Sequence, residues 1–176
     1  MQESIARPPR TIMEVFKMLP EGTLAELIDG IIYMSPSPLY KHQQIVSRLL
    51  VQIGHFVDKN DLGEVFTAPF DVYLDESANA VQPEILFIQK KNLSIIKEHV
   101  HGVPDLIIEV LSGGNPMFDT VQKKNLYERF AVKEYWIIDP ETRIAAGYKH
   151  TGTGFEELGN YQGEVLSVLL NRKFTF

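Results

Sequence analysis

A chain of 176 residues, 44% hydrophobic and 23% charged, is long enough for one domain with a substantial core. It has no cysteine, which excludes a disulfide framework, a thiolate metal site and a thiol nucleophile; it also has no apolar run of the roughly 20 residues that span a bilayer. The net charge of −6, from 17 Lys+Arg against 23 Asp+Glu, runs against a general nucleic-acid binder unless the acids gather where divalent cations neutralise them.

In chain order, the opening MQESIARPPRTIMEVF lacks the basic-then-apolar pattern of a secretory signal, so a cytoplasmic location is expected. Thr11 with Glu14 predicts a capping box opening a short helix that stops at Pro20. The run LAELIDGIIYMS predicts a hairpin turning at Asp29-Gly30, its second strand broken by Pro36 and Pro38. Over 39–56 the residues Ile45, Leu49, Ile53 and Phe56 recur at helical spacing. Aromatic and β-branched residues predict strands at 64–74 and 83–88, and a short helix is expected at 92–99. DLIIEVL, 105–111, is an apolar run interrupted by one acid, the pattern of a central strand buried on both faces. A helix over 117–130 and a second central strand at Glu134–Asp139, stopped by Pro140, follow. The tail offers two or three strands with turns near 152–154 and 159–163. No repeat, low-complexity tract or long linker divides the chain, so one domain over residues 1–176 is expected, of α/β or α+β class around one mixed sheet.

Chemistry is sought where acids stand among apolar neighbours. On a strand of period two, Asp105, Ile107 and Glu109 share one face, while Leu106, Ile108 and Val110 share the other. A carboxylate inside so apolar a strand must be paired, protonated or bound to a cation. A structural ion pair with a neighbouring Lys or Arg is the plain alternative to a functional site. Glu84 follows Pro83 at the start of a strand; if that strand and the Glu109 strand are antiparallel neighbours, the two acids converge. Two carboxylates with a backbone carbonyl and waters then form a hard oxygen site suited to Mg²⁺ or Mn²⁺. Taken alone, Glu84 is equally a solvated acid.

On the 117–130 helix, 100° per residue puts Phe118, Val121, Leu126 and Phe130 on the inward arc, with Asp119 between Leu126 and Phe130. Lys123 borders that arc, and Lys124 points to solvent. Asp119, Lys123 and Tyr127 form one stripe, read either as part of a site or as an ordinary i,i+4 ion pair. Glu26 shares a strand face with Leu24 and Ile28, a weaker signal of the same kind.

The succession ELIDGIIYMSPSP, His42, QPEILFI, GVPDLIIEVLS, DTVQKKNLY and KEYWIIDP resembles a putative restriction endonuclease-like family, a largely uncharacterised branch of the PD-(D/E)xK nuclease superfamily. The likeness runs over 11–139. It implies a restriction-endonuclease-like αβββαβ core, a mixed central sheet flanked by helices, with a Mg²⁺- or Mn²⁺-dependent phosphodiesterase site. Carried over by position, Glu26 matches the family's hairpin acid, and Glu84 the metal-binding acid of the PD half-motif. Glu109 matches the acid of the (D/E)xK half-motif. Lys123 matches a lysine moved onto the following helix, beside Asp119 and Tyr127, and His42 matches a helix histidine of capping or supporting duty. Two departures stand out: the PD half reads Pro83-Glu84, one methylene longer than the usual aspartate, and Glu109-Val110-Leu111 has no lysine in the third place.

The expectation is therefore an endonuclease acting on DNA. Glu84, Glu109 and the Val110 carbonyl would hold the cation, Glu26 would bind a second ion or orient water, and Lys123 would contact the attacking water or the phosphate. No membrane is implied, and a homodimer would suit cutting both strands. A non-catalytic nuclease fold that binds nucleic acid or protein is the alternative, separated by its metal affinity. A metal-free acid–base hydrolase is a third, one that would survive excess chelator.

Overall fold

The computed structural model describes residues 8–112 and 118–176, without the side chains of Phe118 and Asp119. Helix α1, Ile12–Lys17, is capped by Thr11, whose Oγ1 accepts the Glu14 N–H at 3.2 Å. The Glu14 carboxylate reaches back to the Arg10 N–H at 2.6 Å, one residue before the cap. Strands β1, Ala25–Ile28, and β2, Ile31–Met34, pair antiparallel with Ile28 opposite Ile31. Asp29 and Gly30 sit at φ 48° and 77°, the two positive values that a type I′ turn requires. Helix α2 is Tyr40–Lys59, beginning after Pro36 and Pro38 as the sequence predicts.

Next come β3, Gly63–Thr67; β4, Val72–Tyr73; β5, Ala80–Val81; and β6, Ile85–Gln89. The single strand expected over 64–74 is broken at 68–71, where Pro69 has no N–H to pair and the Thr67 hydroxyl and Ala68 N–H both turn to the Glu84 carbonyl. The helix expected at 92–99 is instead a 3₁₀ segment, Lys90–Ile95. There the Asn92 side chain donates to Asp105 at 2.8 and 3.0 Å, and the chain then straightens into β7, Val100–His101, alongside β4. Strand β8, Leu106–Val110, is buried throughout. A π-helical turn, Phe118–Lys123, runs into α3, Lys124–Arg129, and then β9, Glu134–Asp139. The tail holds four strands rather than two or three: β10, Ile144–His150; β11, Phe155–Gln162; β12, Glu164–Ser167; and β13, Arg172–Thr175. Gly159 proves to lie within β11, opposite the β10 irregularity at Gly147, and Gly163 makes the turn that follows.

Among the described residues, six strands form the central sheet in the order β11-β10-β9-β8-β6-β3, with β8 and β9 parallel and every other pair antiparallel. The expectation of one sheet meets three, because β2-β1-β5-β4-β7 form a second sheet and β12-β13 a third. The sequence α2-β3-β6-β8-α3-β9 is the expected αβββαβ core. Ile45, Leu49, Ile53 and Val57 of α2 pack on one face against Phe87, Ile108 and Trp136. On the other face Leu86, Ile107 and Ile137 meet Leu126 and Tyr127 of α3 together with Ile28, Val72 and Val81 of the second sheet. Each such fully buried side chain contributes roughly 1.5–3 kcal/mol. The hairpin and the two helix ends are thereby fixed around one end of β6 and β8.

Candidate functional site

Register brings the first two acids together. Strands β6 and β8 are antiparallel with Ile85 opposite Ile108, so the next facing pair is Glu84 and Glu109. The pair after that is Pro83 and Val110. Leu111 N–H donates to Ile138 O at 2.8 Å across β9, so the carbonyl of Val110, trans in the same peptide, points the other way, toward β6. Proline offers no N–H there, so among the described residues no β6 amide pairs with this carbonyl.

Glu109 is 3% exposed, and its Oε1 accepts from Lys123 Nζ at 3.0 Å and Tyr127 OH at 2.6 Å. Burial pushes its carboxyl from 4.5 up to about 7, with Glu26 and Glu84 adding to the rise and Lys123 and Tyr127 opposing it. The same burial, with Glu109 and Glu26 nearby, raises Tyr127 well above its ordinary value, so its hydroxyl stays a donor.

Lys123, at the end of the π turn, is 7% exposed. Its ammonium bridges two carboxylates, Glu109 Oε1 and Glu26 Oε2, each at 3.0 Å. Lys124 points away and lies 4.3 Å over the Tyr148 ring. The helical wheel is right that Lys123 turns inward; Lys124, expected in solvent, is half-buried against Tyr148, and Val121, expected inside, is 49% exposed. The reason is the π turn: its wider i→i+5 spacing advances each residue by less than the 100° assumed, so the phase drifts before α3 begins. The Asp119 side chain lies outside the described residues.

Glu26 enters from β1, and its Oε1 accepts the Gln82 N–H at 3.0 Å. His42, in the first turn of α2, faces the sheet at 4% exposure with Nε2 3.1 Å from Glu84 Oε1. Its buried Nδ1 has no hydrogen-bond partner among the described residues. Gln82 is the residue that sequence reasoning missed. Besides holding Glu26, its side chain donates to Thr23 O at 3.1 Å and Asp71 Oδ1 at 2.8 Å, tying the hairpin to the start of β6. Its place just before Pro83-Glu84 was the available signal.

Glu26, His42, Glu84, Glu109, Val110 and Lys123 line one cavity of about 190 Å³. Among the described residues, no three His, Asp or Glu side chains form a ready metal cluster. The donor set nonetheless fits a small hard cation. Glu84 and Glu109 each keep one oxygen outside the hydrogen bonds of the described residues, and the Val110 carbonyl supplies a third oxygen. The ion pair offered by sequence reasoning as the plain alternative is thus present too, in the same cavity.

The family model of Uma2, putative restriction endonuclease, matches residues 13–175. No curated protein matches the chain significantly. Among solved structures, a putative nuclease from Anabaena variabilis is similar with a TM-score of 0.74 and 19% identity, over 93% of this chain and 92% of that one. At that identity the likeness carries the fold, which is restriction-endonuclease-like.

Proposed function

The chain belongs to the putative restriction endonuclease family matched over residues 13–175, and from that premise we propose that it is a divalent-metal-dependent endonuclease hydrolysing DNA phosphodiesters. The observation that carries the reading is the facing pair Glu84 and Glu109, with Lys123 3.0 Å from Glu109 in the same cavity. Glu84, Glu109 and the Val110 carbonyl would hold Mg²⁺ or Mn²⁺. Such an ion, when bound, lowers the pKa of a water and offsets charge gathering on the phosphate.

The remaining residues have duties set by their contacts. Tyr127 fixes one oxygen of Glu109, and His42 fixes one oxygen of Glu84, so the free oxygens point consistently. Glu26, held by the Gln82 N–H, keeps Lys123 extended into the cavity and would orient water there. Lys123 would donate to the attacking water or to a phosphate oxygen, supplying the cation absent after Glu109-Val110.

Mn²⁺-dependent cleavage of plasmid DNA, lost on chelation and in Glu109→Gln and Glu84→Gln, is the expected result. Cleavage that continues in excess chelator would instead favour metal-free acid–base hydrolysis. One observation favours a second reading: Lys123, Glu26 and Glu109 already form a buried ion-pair network. A non-catalytic binding module would keep that network and show no Mn²⁺ affinity by titration.

A further inference from the structure

A chain of net charge −6 with an acidic cavity must draw a polyanion by some other surface. Helix α2 carries Lys41, Arg48 and Lys59 against one acid, Asp58. At 100° per residue, Lys41, Gln44, Arg48, Gln52, His55 and Lys59 fall within an arc of about 80° on its outer side, and every one is a cation, an amide or an imidazole. Asp58 falls about 80° from the middle of that arc. Arg48, His55 and Lys59 are exposed and make no ion pair with the described residues. The stripe runs about 27 Å along the helix axis.

One end of the stripe adjoins the acidic cavity and the other a basic hollow. At one end Lys41 and His42 line a hollow, with Asp139 and Glu141 also in its wall, that shares Pro36, Pro38, His42 and Ser112 with the acidic cavity. At the other, Lys59 and His55 join Arg172 and Lys173 of β13 around a second hollow of about 360 Å³ whose lining contains no carboxylate. Arg172 lies 5.3 Å over the Phe56 ring, which holds its guanidinium at the rim. Two of these cations have acid partners, Lys41 with Glu141 and Lys173 with Glu164, both pairs at the surface where phosphate competes readily.

We infer that the outer stripe of α2, continued by Arg172 and Lys173, is the track on which the phosphate backbone of a DNA duplex lies while one strand reaches the acidic cavity. The inference rests on the nuclease reading. It places the attraction on one face of the protein rather than on the overall charge.

The test is fluorescence anisotropy of a labelled DNA duplex in Ca²⁺, over a series of salt concentrations, with two charge-matched double variants. Arg48→Ala with Lys59→Ala removes two cations from the stripe. Arg10→Ala with Lys97→Ala removes two from the far side, where α1 and the β7 loop lie. The first pair is expected to weaken binding by about tenfold and to lower the salt slope by roughly two, leaving the second pair close to wild type. Equal losses in both pairs, or a larger loss in the second, overturn the track while leaving the nuclease reading standing. Wild-type protein that binds no duplex at any salt overturns both.

Discussion

Under the proposed function, Glu109 would be buried in the metal-free protein and ionised once a cation binds. Its carboxyl, raised from 4.5 to about 7 chiefly by burial, keeps its proton at mildly acid pH. The metal-free folded state therefore holds that proton more tightly than the unfolded chain does. The resulting stability is fully present below about pH 4.5 and is lost as pH rises through about 7. Chelated wild type should accordingly show a falling urea midpoint across this window, and Glu109→Gln should flatten the fall; a midpoint that rises in wild type would contradict the burial argument. Mn²⁺ binding requires the ionised form, so affinity should drop as pH falls below 7, with proton release measurable by calorimetry in two buffers of different ionisation enthalpy.

Lys123 and Lys124 are neighbours in the chain with different fates. Replacing Lys123 by Ala leaves Glu26 and Glu109 without their shared cation, at a cost of about 3–5 kcal/mol in the metal-free protein. In saturating Mn²⁺, single-turnover cleavage should fall about 100-fold or more. Lys124→Ala removes only a contact over the Tyr148 ring and should change cleavage by no more than a few-fold. Equal losses in the two variants would count against a lysine acting from the helix.

At the scale of elements, the β1-β2 turn and the β9-β10 pair put opposite demands on glycine. Gly30 lies at φ 77°, where a Cβ would meet only an Ile12 carbon at 3.9 Å, so Gly30→Ala meets backbone strain alone, about 1–2 kcal/mol. Gly147 faces Trp136, and a Cβ there would come within 2.4 Å of the indole. Because Trp136 is fully buried and cannot swing aside, Gly147→Ala is expected to cost about 3 kcal/mol or more. Urea unfolding of the two variants side by side checks the order, and a milder effect at Gly147 would mean the indole has room to move. The hairpin was legible because Asp29-Gly30 states its turn type outright. The 92–99 segment was not, since a side chain of Asn92 bonding to distant Asp105 decides its path.

For the whole molecule, the proposed metal binding would be coupled to folding. A cation that binds only the folded chain adds about 2.7 kcal/mol at a hundred times its dissociation constant. Thermal unfolding of wild type should shift upward in Mn²⁺, whereas Glu84→Gln combined with Glu109→Gln should show no shift. A shift retained in the double variant would locate the ion elsewhere.

What the sequence determined by itself was the main helices and central strands and which acids stand among apolar neighbours. Period-two and helical spacing are local properties, and they marked DLIIEVL as a buried strand with one misplaced carboxylate, and Lys123 as the lysine turned inward. The convergence of those residues was decided by tertiary structure. The facing of Glu84 and Glu109 depends on antiparallel register between β6 and β8, a hydrogen-bond pairing of segments about 20 residues apart in the chain. The place of Glu26 depends on Gln82, whose backbone and side chain tie a hairpin to a strand across more than 50 residues. The outward turn of Val121 depends on a π turn that no periodicity announces. Local patterns record which face a residue prefers. Which faces meet is settled only by packing, since the same preference for burial is satisfied by many partners until one arrangement closes the core around all of them.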